Sequence, residues 1–197
     1  MNNLSLQGEL VRLTALDLEK SANSFARWGR DTEYLRLLDN DPPIPWSVEQ
    51  IKKWQEKAQE RAEALKELTF SIETLEAGDE RGGRMIGFLE LGEIHWHHGD
   101  AFLGIGIGER DYWGRGYGTD AMQVLLRYAF DELNLHRISL TVFEYNTRAI
   151  RAYEKAGFVH EGRARQELNR DGRRWDMLFM GILREEWERD HPDGAAG

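Results

Sequence analysis

The stretch Glu109-Arg-Asp-Tyr-Trp-Gly-Arg-Gly-Tyr-Gly-Thr-Asp120 decides the fold, because it joins an apolar run to a segment with helical periodicity. The apolar run, 101–107, predicts a strand, and the following segment, 121–133, predicts an amphipathic helix. Gly114, Gly116 and Gly118 lack a Cβ, so a ligand can approach the backbone and the chain can aim successive N–H groups at one point. The first turn of a helix adds unpaired N–H donors and a dipole that favours negative charge. The stretch alone predicts either a tight structural turn or a cradle for a pyrophosphate.

Two better known glycine-rich motifs do not fit this stretch. A Walker loop requires a lysine after its last glycine, but Gly118 is followed by Thr119 and Asp120. A dinucleotide-binding fingerprint requires G-x-G-x-x-G and an acidic residue about twenty positions later. The glycines here have spacing two and two, and position 138 is an isoleucine. A Rossmann-type oxidoreductase is therefore a distant alternative.

The elements that follow the glycine-rich stretch help to decide between a structural turn and a phosphate site. Residues 137–143 alternate with period two and are rich in β-branched side chains, which predicts a strand. Asn146 is placed to cap a short helix that Gly157 would end. The inner face of this helix would carry Ala149, Ile150 and Tyr153.

This order of strand, Gly-x-Gly-x-Gly loop, helix, strand and Asn-initiated helix ending in Tyr-Glu-Lys-Ala-Gly-Phe resembles the acetyl-CoA-dependent N-acetyltransferases of the GNAT superfamily. The likeness covers 85–175 and is greatest to the branch of ribosomal-protein N-terminal and spermidine N-acetyltransferases. Trp113 departs from the Gln or Arg of the family's loop pattern, and Ala149 replaces the serine of its Asn-x-x-Ser. The resemblance implies one α/β (α+β) domain over 1–190, with a mixed, mostly antiparallel sheet splayed at the cofactor and helices on both faces.

The resemblance also implies where acetyl-CoA is held and which group protonates the departing thiolate. Tyr153 matches the family tyrosine at the CoA sulfur, and its alternative role is that of a core aromatic. N–H groups near Ile105–Ile107 would stabilise the oxyanion. The residues expected to bind the cofactor are Ile105, Ile107, Arg110, Trp113, Gly114, Arg115, Gly116, Tyr117, Gly118, Thr119, Asn146 and Arg151.

The general base is harder to assign. An alkylammonium, with a pKa of about 10, must lose a proton before it attacks a thioester. Many relatives carry a glutamate in the strand before the loop, where this chain has Phe102. Glu90 on the preceding strand is the best remaining carboxylate, with Glu93 behind it. Glu90 is predicted to accept the proton or to orient a cationic substrate, unless it is an ordinary outward-facing residue.

Composition excludes several kinds of chemistry. The 197 residues contain no cysteine, so no thioester can form on the protein and the acetyl group must pass directly to the acceptor in a ternary complex. The N-terminal residues do not read as a signal peptide and no segment approaches twenty apolar residues, so we expect a cytoplasmic protein without a membrane partner.

The net charge of −9 argues against a nucleic-acid partner. It serves either solubility alone or the attraction of cationic amines. The expected acceptor is a polyamine or other small amine, or a protein N-terminus. The alternative to an enzyme is a non-catalytic domain that binds acyl-CoA. A homodimer is possible for this family.

The remaining elements are less distinctive. Strands are predicted at 9–13, 69–75, 84–95, 165–169 and 173–183, helices at 17–28 and from Ser47 to about 68, a turn at 77–83 and a polar, mobile tail at 191–197. Asp171-Gly172 predicts a tight hairpin. His95, His97 and His98 invite a metal site, but zinc needs more ligands than they offer, so we expect no metal.

Overall fold

The sheet at the centre of the protein contains seven strands. The structure, a computed structural model, describes residues 6–63, 66–75 and 83–191. The strands are β1 Val11–Ala15, β2 Leu68–Thr74, β3 Met85–His95, β4 Asp100–Ile107, β5 Arg137–Phe143, β6 Val159–Arg170 and β7 Arg173–Leu183. The helices of the described ranges are α1 Leu18–Trp28, α2 Thr32–Leu38, α3 Val48–Glu63, α4 Tyr117–Arg127, α5 Thr147–Lys155 and α6 Arg184–Asp190.

The strand order is β1-β2-β3-β4-β5-β7-β6, and the pairing of β4 with β5 is the parallel one, while the others are antiparallel. That parallel pairing covers only Asp100–Phe102 against Arg137–Ser139. Beyond it β5 stays paired with β7 as far as Phe143, whereas β4 continues along β3. The two central strands therefore separate, which confirms the predicted mixed, mostly antiparallel and splayed sheet and rules out the parallel sheet of an oxidoreductase of the Rossmann type.

Helices cover both faces of this sheet, as predicted. Neighbouring residues of a strand point to opposite faces, and Phe88 and Leu89 of β3 follow this rule. The Phe88 ring lies 5.1 Å from the Phe25 ring of α1, in a cluster that also contains residues of α2 and α3. Leu89 belongs instead to the main core with Leu125 of α4, and both are fully buried. Truncating either leucine to alanine would cost about 2–5 kcal/mol.

Local sequence signals set several element boundaries where expected. The Asp17 carboxylate accepts the N–H groups of Glu19 and Lys20, both at 3.1 Å, at the start of α1. Ser47 and Gln50 exchange the two hydrogen bonds of a capping box, at 2.9 and 3.2 Å, at the start of α3. The β6–β7 hairpin turns at Asp171-Gly172, with φ of 53° and 71°.

Other boundaries differ from the sequence prediction. The helices α2 and α6 were not predicted, because each has only seven residues and little room for a periodic pattern. Strand β6 begins at Val159 rather than 165, since it is a mostly exposed edge strand without apolar alternation. Helix α3 ends at Glu63 within the described residues, and Leu68 already belongs to β2. Most of the predicted turn at 77–83 lies outside the described residues.

The predicted tail also lies outside the described residues, apart from His191. The ring of His191 stacks on that of Trp187 with 3.7 Å between centroids. It also contacts the side chain of Gln123 on α4 at 3.1 Å. The domain therefore packs as far as residue 191.

Candidate active site

The glycine-rich loop leads from the end of β4 into α4 through one turn of 3₁₀ helix at Arg110–Tyr112. Gly114 and Gly116 have φ of 71° and 92°, in the left-handed region that favours glycine. Gly116 is the N-cap of α4, and the first amide that bonds back to it is that of Asp120, at 2.9 Å. The amides of the first turn of α4 are thus directed out of the helix, towards the adjacent cavity.

The first turn of α4 is fixed to the N-terminal part of the chain by Asp120. Its carboxylate accepts the backbone N–H groups of Glu9, Leu10 and Val11 at 3.1, 2.8 and 3.0 Å. Such charge-assisted bonds are about twice as strong as neutral ones. Because β1 begins at Val11, this carboxylate holds the glycine-rich loop in a fixed position relative to the sheet.

The loop borders a cavity of about 290 Å³, which we call the loop cavity. It lies beside the end of β4, between the glycine-rich loop, α4 and α5. Its lining includes Ile105, Ile107, Trp113, Gly114, Gly116, Gly118, Thr119, Met122, Asn146, Arg148, Ala149, Arg151, Ala152, Tyr153 and Lys155. The structure thus brings together Tyr153 and nine of the twelve residues predicted to bind the cofactor.

The other three predicted cofactor residues do not line the loop cavity in the part of the chain that the structure describes. Arg110 is paired with the carboxylates of Asp31 and Glu33, the latter at 2.7 Å. Arg115 lies over the ring of Tyr117 and donates to a backbone carbonyl, that of Asp111, at 3.1 Å. The Tyr117 ring packs edge-on against that of Tyr112, with 4.8 Å between centroids. The side chains of Arg110, Arg115 and Tyr117 thus contact other parts of the loop and α2 instead of the cavity.

The loop cavity contains two cations that were not among the predicted site residues, Arg148 and Lys155. They share one face of α5 with Arg151, because residues three and four positions apart lie side by side on a helix. That spacing was visible in the sequence and could have identified both. Together with the amides of α4, these cations fit a ligand with several negative charges, such as a pyrophosphate.

Trp113 organises this cluster. Its indole N–H donates to the carbonyl oxygen of Ile107 at 2.6 Å, which fixes the ring against the end of β4. The guanidinium of Arg148 lies 3.6 Å from the ring centroid, in a cation–π contact. Burial lowers the pKa of Arg148 without bringing it near neutrality, so the guanidinium stays charged in the cavity. The tryptophan that departs from the family pattern therefore holds an arginine in place.

A second, larger cavity of about 780 Å³ adjoins the first, and we call it the aromatic cavity. Its aromatic lining is Phe25, Tyr34, Trp46, Trp54, Phe88, Phe102, Phe143 and Tyr153, and its carboxylates are Asp39, Asp41 and Glu90. Glu90 lies opposite Gly104 in the β3–β4 register and is partly buried. The predicted catalytic carboxylate thus faces this second cavity.

The two cavities meet at a set of shared lining residues. These are Tyr34, Leu37, Leu38, Ile105, Asn146 and Tyr153. Tyr153 is only 8% exposed, and burial raises the pKa of its phenol to about 12. Asn146 accepts the N–H of Ala149 at 3.2 Å, which confirms it as the cap of α5. Tyr34 was missed because the short helix α2, which carries it, was not predicted.

The segment between α2 and α3, which closes the aromatic cavity, is held by contacts to the β6–β7 hairpin. Arg170 donates to the carbonyl oxygens of Asp39 and Asp41 at 2.8 and 2.7 Å. Arg36 pairs with Asp171 at 2.5 Å. The backbone at Asp39 and Asp41 is thereby fixed at the cavity wall.

The three histidines of the β3–β4 turn lie apart from both cavities. His95, His97 and His98 are exposed, and His95 contacts Asp100 at 3.0 Å. Among the described residues no group of His, Cys, Asp and Glu is arranged to hold a metal ion. Within the same ranges no helix is long and apolar enough to cross a membrane.

Comparison with known proteins gives consistent matches. Residues 10–159 match the acetyltransferase (GNAT) domain. The chain is 30% identical over 162 residues to the spermidine N(1)-acetyltransferase of Vibrio cholerae, covering 80% of this chain and 90% of the relative. It is 32% identical over 114 residues to a putative ribosomal N-acetyltransferase of Bacillus subtilis, covering 58% and 62%. The crystal structure of the Vibrio cholerae spermidine N-acetyltransferase with CoA and spermine superposes with a TM-score of 0.76 at 26% identity, covering 90% and 97%.

Proposed function

The chain belongs to the GNAT acetyltransferases, and we propose that its acceptor is a polycationic amine that binds in the aromatic cavity. The protein is an acetyl-CoA-dependent N-acetyltransferase. The observation that carries the acceptor proposal is the junction of the two cavities at Tyr153, with the carboxylates of Glu90, Asp39 and Asp41 on the aromatic side.

We assign the loop cavity to the donor. The amides of the first turn of α4, together with Arg148, Arg151 and Lys155, would bind the phosphates of acetyl-CoA. Gly114 and Gly116 let the backbone approach them closely. The acetyl end would then lie at the shared residues of the two cavities, because the nitrogen of the acceptor must reach it from the aromatic cavity.

The chemistry proposed for the junction uses two side chains. Glu90, directly or through water, would accept a proton from the ammonium group, whose nitrogen then attacks the thioester carbon. As the carbon–sulfur bond breaks, the sulfur keeps the electron pair and takes a proton from Tyr153. The second proton of the nitrogen returns to the Tyr153 phenolate as the amide forms, and the proton held by Glu90 passes to solvent. The N–H groups of β4 near Ile105 and Ile107 would stabilise the oxyanion. The carbonyl of Ile107 faces the indole of Trp113, so the open edge of β4 is turned towards the loop cavity.

The lining of the aromatic cavity suits a polyamine in two ways. The methylene segments of a polyamine can pack on aromatic rings, and its ammonium groups gain from cation–π contacts and from the carboxylates. The net charge of −9 adds long-range attraction. The spermidine N-acetyltransferase of Vibrio cholerae matches this chain in both sequence and fold, which supports the same acceptor class.

The acceptor proposal is tested with purified protein and acetyl-CoA against spermidine, a monoamine of similar chain length and a peptide with a free N-terminus, following release of the CoA thiol. We expect spermidine to have the largest kcat/KM, with a KM that rises with salt, because the Debye length falls from about 10 Å at 0.1 M to about 3 Å at 1 M. Glu90→Gln should lower kcat, because the proposed proton acceptor is lost, and should raise KM for spermidine about tenfold, equivalent to about 1.4 kcal/mol. Glu93→Gln on the same strand, exposed and outside the cavity lining, is the matched control.

A protein N-terminus is the second candidate acceptor. The similarity to the putative ribosomal N-acetyltransferase of Bacillus subtilis favours this acceptor. The exposed apolar side chains of the cavity wall, Ile44 at 61% and Trp46 at 43% exposure, could contact a peptide chain. If the peptide is acetylated while polyamines are inert, this candidate replaces the polyamine. A non-catalytic acyl-CoA-binding role would require that no amine releases the thiol. A cytoplasmic location and a homodimer stay predictions, to be checked by cell fractionation and by sedimentation.

A further inference from the structure

A second tyrosine, Tyr34 on α2, is buried at the junction without a hydrogen bond. It is 4% exposed, and its hydroxyl oxygen has no partner among the described residues. Leaving a buried hydroxyl unpaired costs about 1–3 kcal/mol. Its side chain lines both the loop cavity and the aromatic cavity. A costly unpaired donor at the meeting point of two substrate cavities is explained if a substrate supplies the missing acceptor.

The position of this hydroxyl is set by β4. A Cβ at Gly106 would lie 3.0 Å from the Tyr34 hydroxyl oxygen and 2.7 Å from Cε1 of Phe88. Gly106 thus leaves the space that the hydroxyl occupies, in the part of β4 that has separated from β5. Its neighbours Ile105 and Ile107 both line the loop cavity. The phenol therefore lies against the stretch of backbone where the acetyl group is expected.

The ring of Tyr34 is held rigidly, as a catalytic group must be. The carboxylate of Asp31 caps α2 and accepts the N–H of Tyr34 at 3.2 Å. The same carboxylate binds Arg110 of the glycine-rich loop, with one contact at 2.7 Å. The indole of Trp28 packs edge-on against the ring with 6.3 Å between centroids. Tyr34 is thus linked to the loop that borders the donor.

We propose that Tyr34 is a second catalytic phenol, whose hydroxyl donates a hydrogen bond to the carbonyl oxygen of the thioester. This proposal rests on the assignment of the loop cavity to the donor. When the amine nitrogen forms its bond to the carbonyl carbon, the π electron pair moves to that oxygen, and the hydrogen bond from Tyr34 strengthens as the negative charge develops. The pair then returns to re-form the carbonyl as the carbon–sulfur bond breaks. Tyr34 keeps its proton throughout, and Tyr153 supplies the proton that the sulfur takes.

The environment of Tyr34 suits a donor that stays neutral. Burial raises its pKa above the ordinary value of a phenol, so it stays protonated where an exposed phenol begins to ionise. Donors held in a site without water act more strongly on a developing charge than donors in solution. Before binding, the unpaired hydroxyl of Tyr34 destabilises the protein, and the hydrogen bond to the substrate removes that cost.

The test is Tyr34→Phe, which keeps the ring and removes only the hydroxyl. We expect kcat to fall about 10- to 100-fold, which is less than the roughly 100- to 1,000-fold that loss of one oxyanion donor can cost. KM for the amine and the Kd of free CoA should change less than about twofold, whereas the preference for acetyl-CoA over CoA should fall. Tm should stay equal or rise, because an unpaired buried hydroxyl is lost. Tyr128→Phe, a partly buried tyrosine packed on Phe70 outside both cavities, is the control and should leave these values unchanged.

Each other outcome overturns the proposal. Unchanged kcat means that the hydroxyl does not touch the reacting carbonyl. A higher KM for the amine with unchanged kcat assigns Tyr34 to acceptor binding. A lower Tm with equal loss of CoA and acetyl-CoA binding makes the hydroxyl structural. The comparison uses whichever amine the wild type acetylates, so failure of the polyamine proposal leaves this test intact, and failure of CoA to bind the wild type refutes the donor assignment separately.

Discussion

Replacing Tyr153 with phenylalanine isolates the proton that the departing sulfur receives. The side chain is 8% exposed and belongs to the main core, so the substitution keeps its packing and removes only the hydroxyl. Loss of a general acid can lower turnover by about 100- to 10,000-fold. A thiolate leaves more easily than most groups, because the pKa of a thiol is only about 8.5, so we expect a smaller loss of about 10- to 100-fold, or about 1.4–2.7 kcal/mol of transition-state stabilisation. We expect kcat to fall by that factor, while the Kd of acetyl-CoA stays within about twofold of the wild-type value.

The raised pKa of Tyr153 predicts the shape of the pH profile. An ordinary phenol with a pKa of about 10 is half ionised at about the pH where an alkylamine is half neutral. Burial raises the pKa of Tyr153 to about 12, and the neutral form, which carries the proton, persists below that value. In the wild type, kcat measured with amine and acetyl-CoA both saturating should therefore not fall between about pH 9 and 11.

The assay is the release of CoA thiol under saturating amine and acetyl-CoA, from pH 6 to the highest pH at which the protein stays folded. Two results would refute the reasoning. Turnover of the phenylalanine variant equal to wild type would make Tyr153 a core residue and leave protonation of the sulfur to water. A descending limb near pH 10 that disappears in the variant would show that the phenol is solvated in the working complex.

Two further substitutions test the scaffold of the site. Gly116→Val should abolish CoA binding in calorimetric titration at a folding cost of about 1–2 kcal/mol, because its φ of 92° disfavours a β-branched side chain and the close approach is blocked. Gly162→Val, where an added Cβ has no neighbour within 4 Å, should bind CoA normally, and binding by both variants would contradict the loop assignment. Asn146→Ala should lose about 1 kcal/mol, or about 2–4 °C in Tm, with its cap bond to the Ala149 N–H. Asn146→Asp retains that acceptor, so equal melting of the two variants would argue against capping.

The turns and the helix cap that shape the loop cavity could be predicted from the sequence, because their determinants are local. Positive φ at Gly114 and Gly116, and the cap at Asn146, depend on residue types within a few positions. Arg148 and Lys155 were missed although their spacing from Arg151 on α5 was visible. The element that could not be predicted is α2, which is short and depends on distant contacts. Its Asp31 cap is held by Arg110, 79 residues away.

The separation of β4 and β5 would let the proposed chemistry use elements from both faces of the sheet. Tyr153 belongs to the core on the α4 face, whereas Tyr34 belongs to the cluster with α1 and α3 on the other. In a continuous sheet the two phenols would be kept apart by a layer of paired backbone. Because the pairing stops at Phe102, each can reach the same gap from its own side. A thioester carbonyl in that gap would then have one donor towards its oxygen and another towards its sulfur.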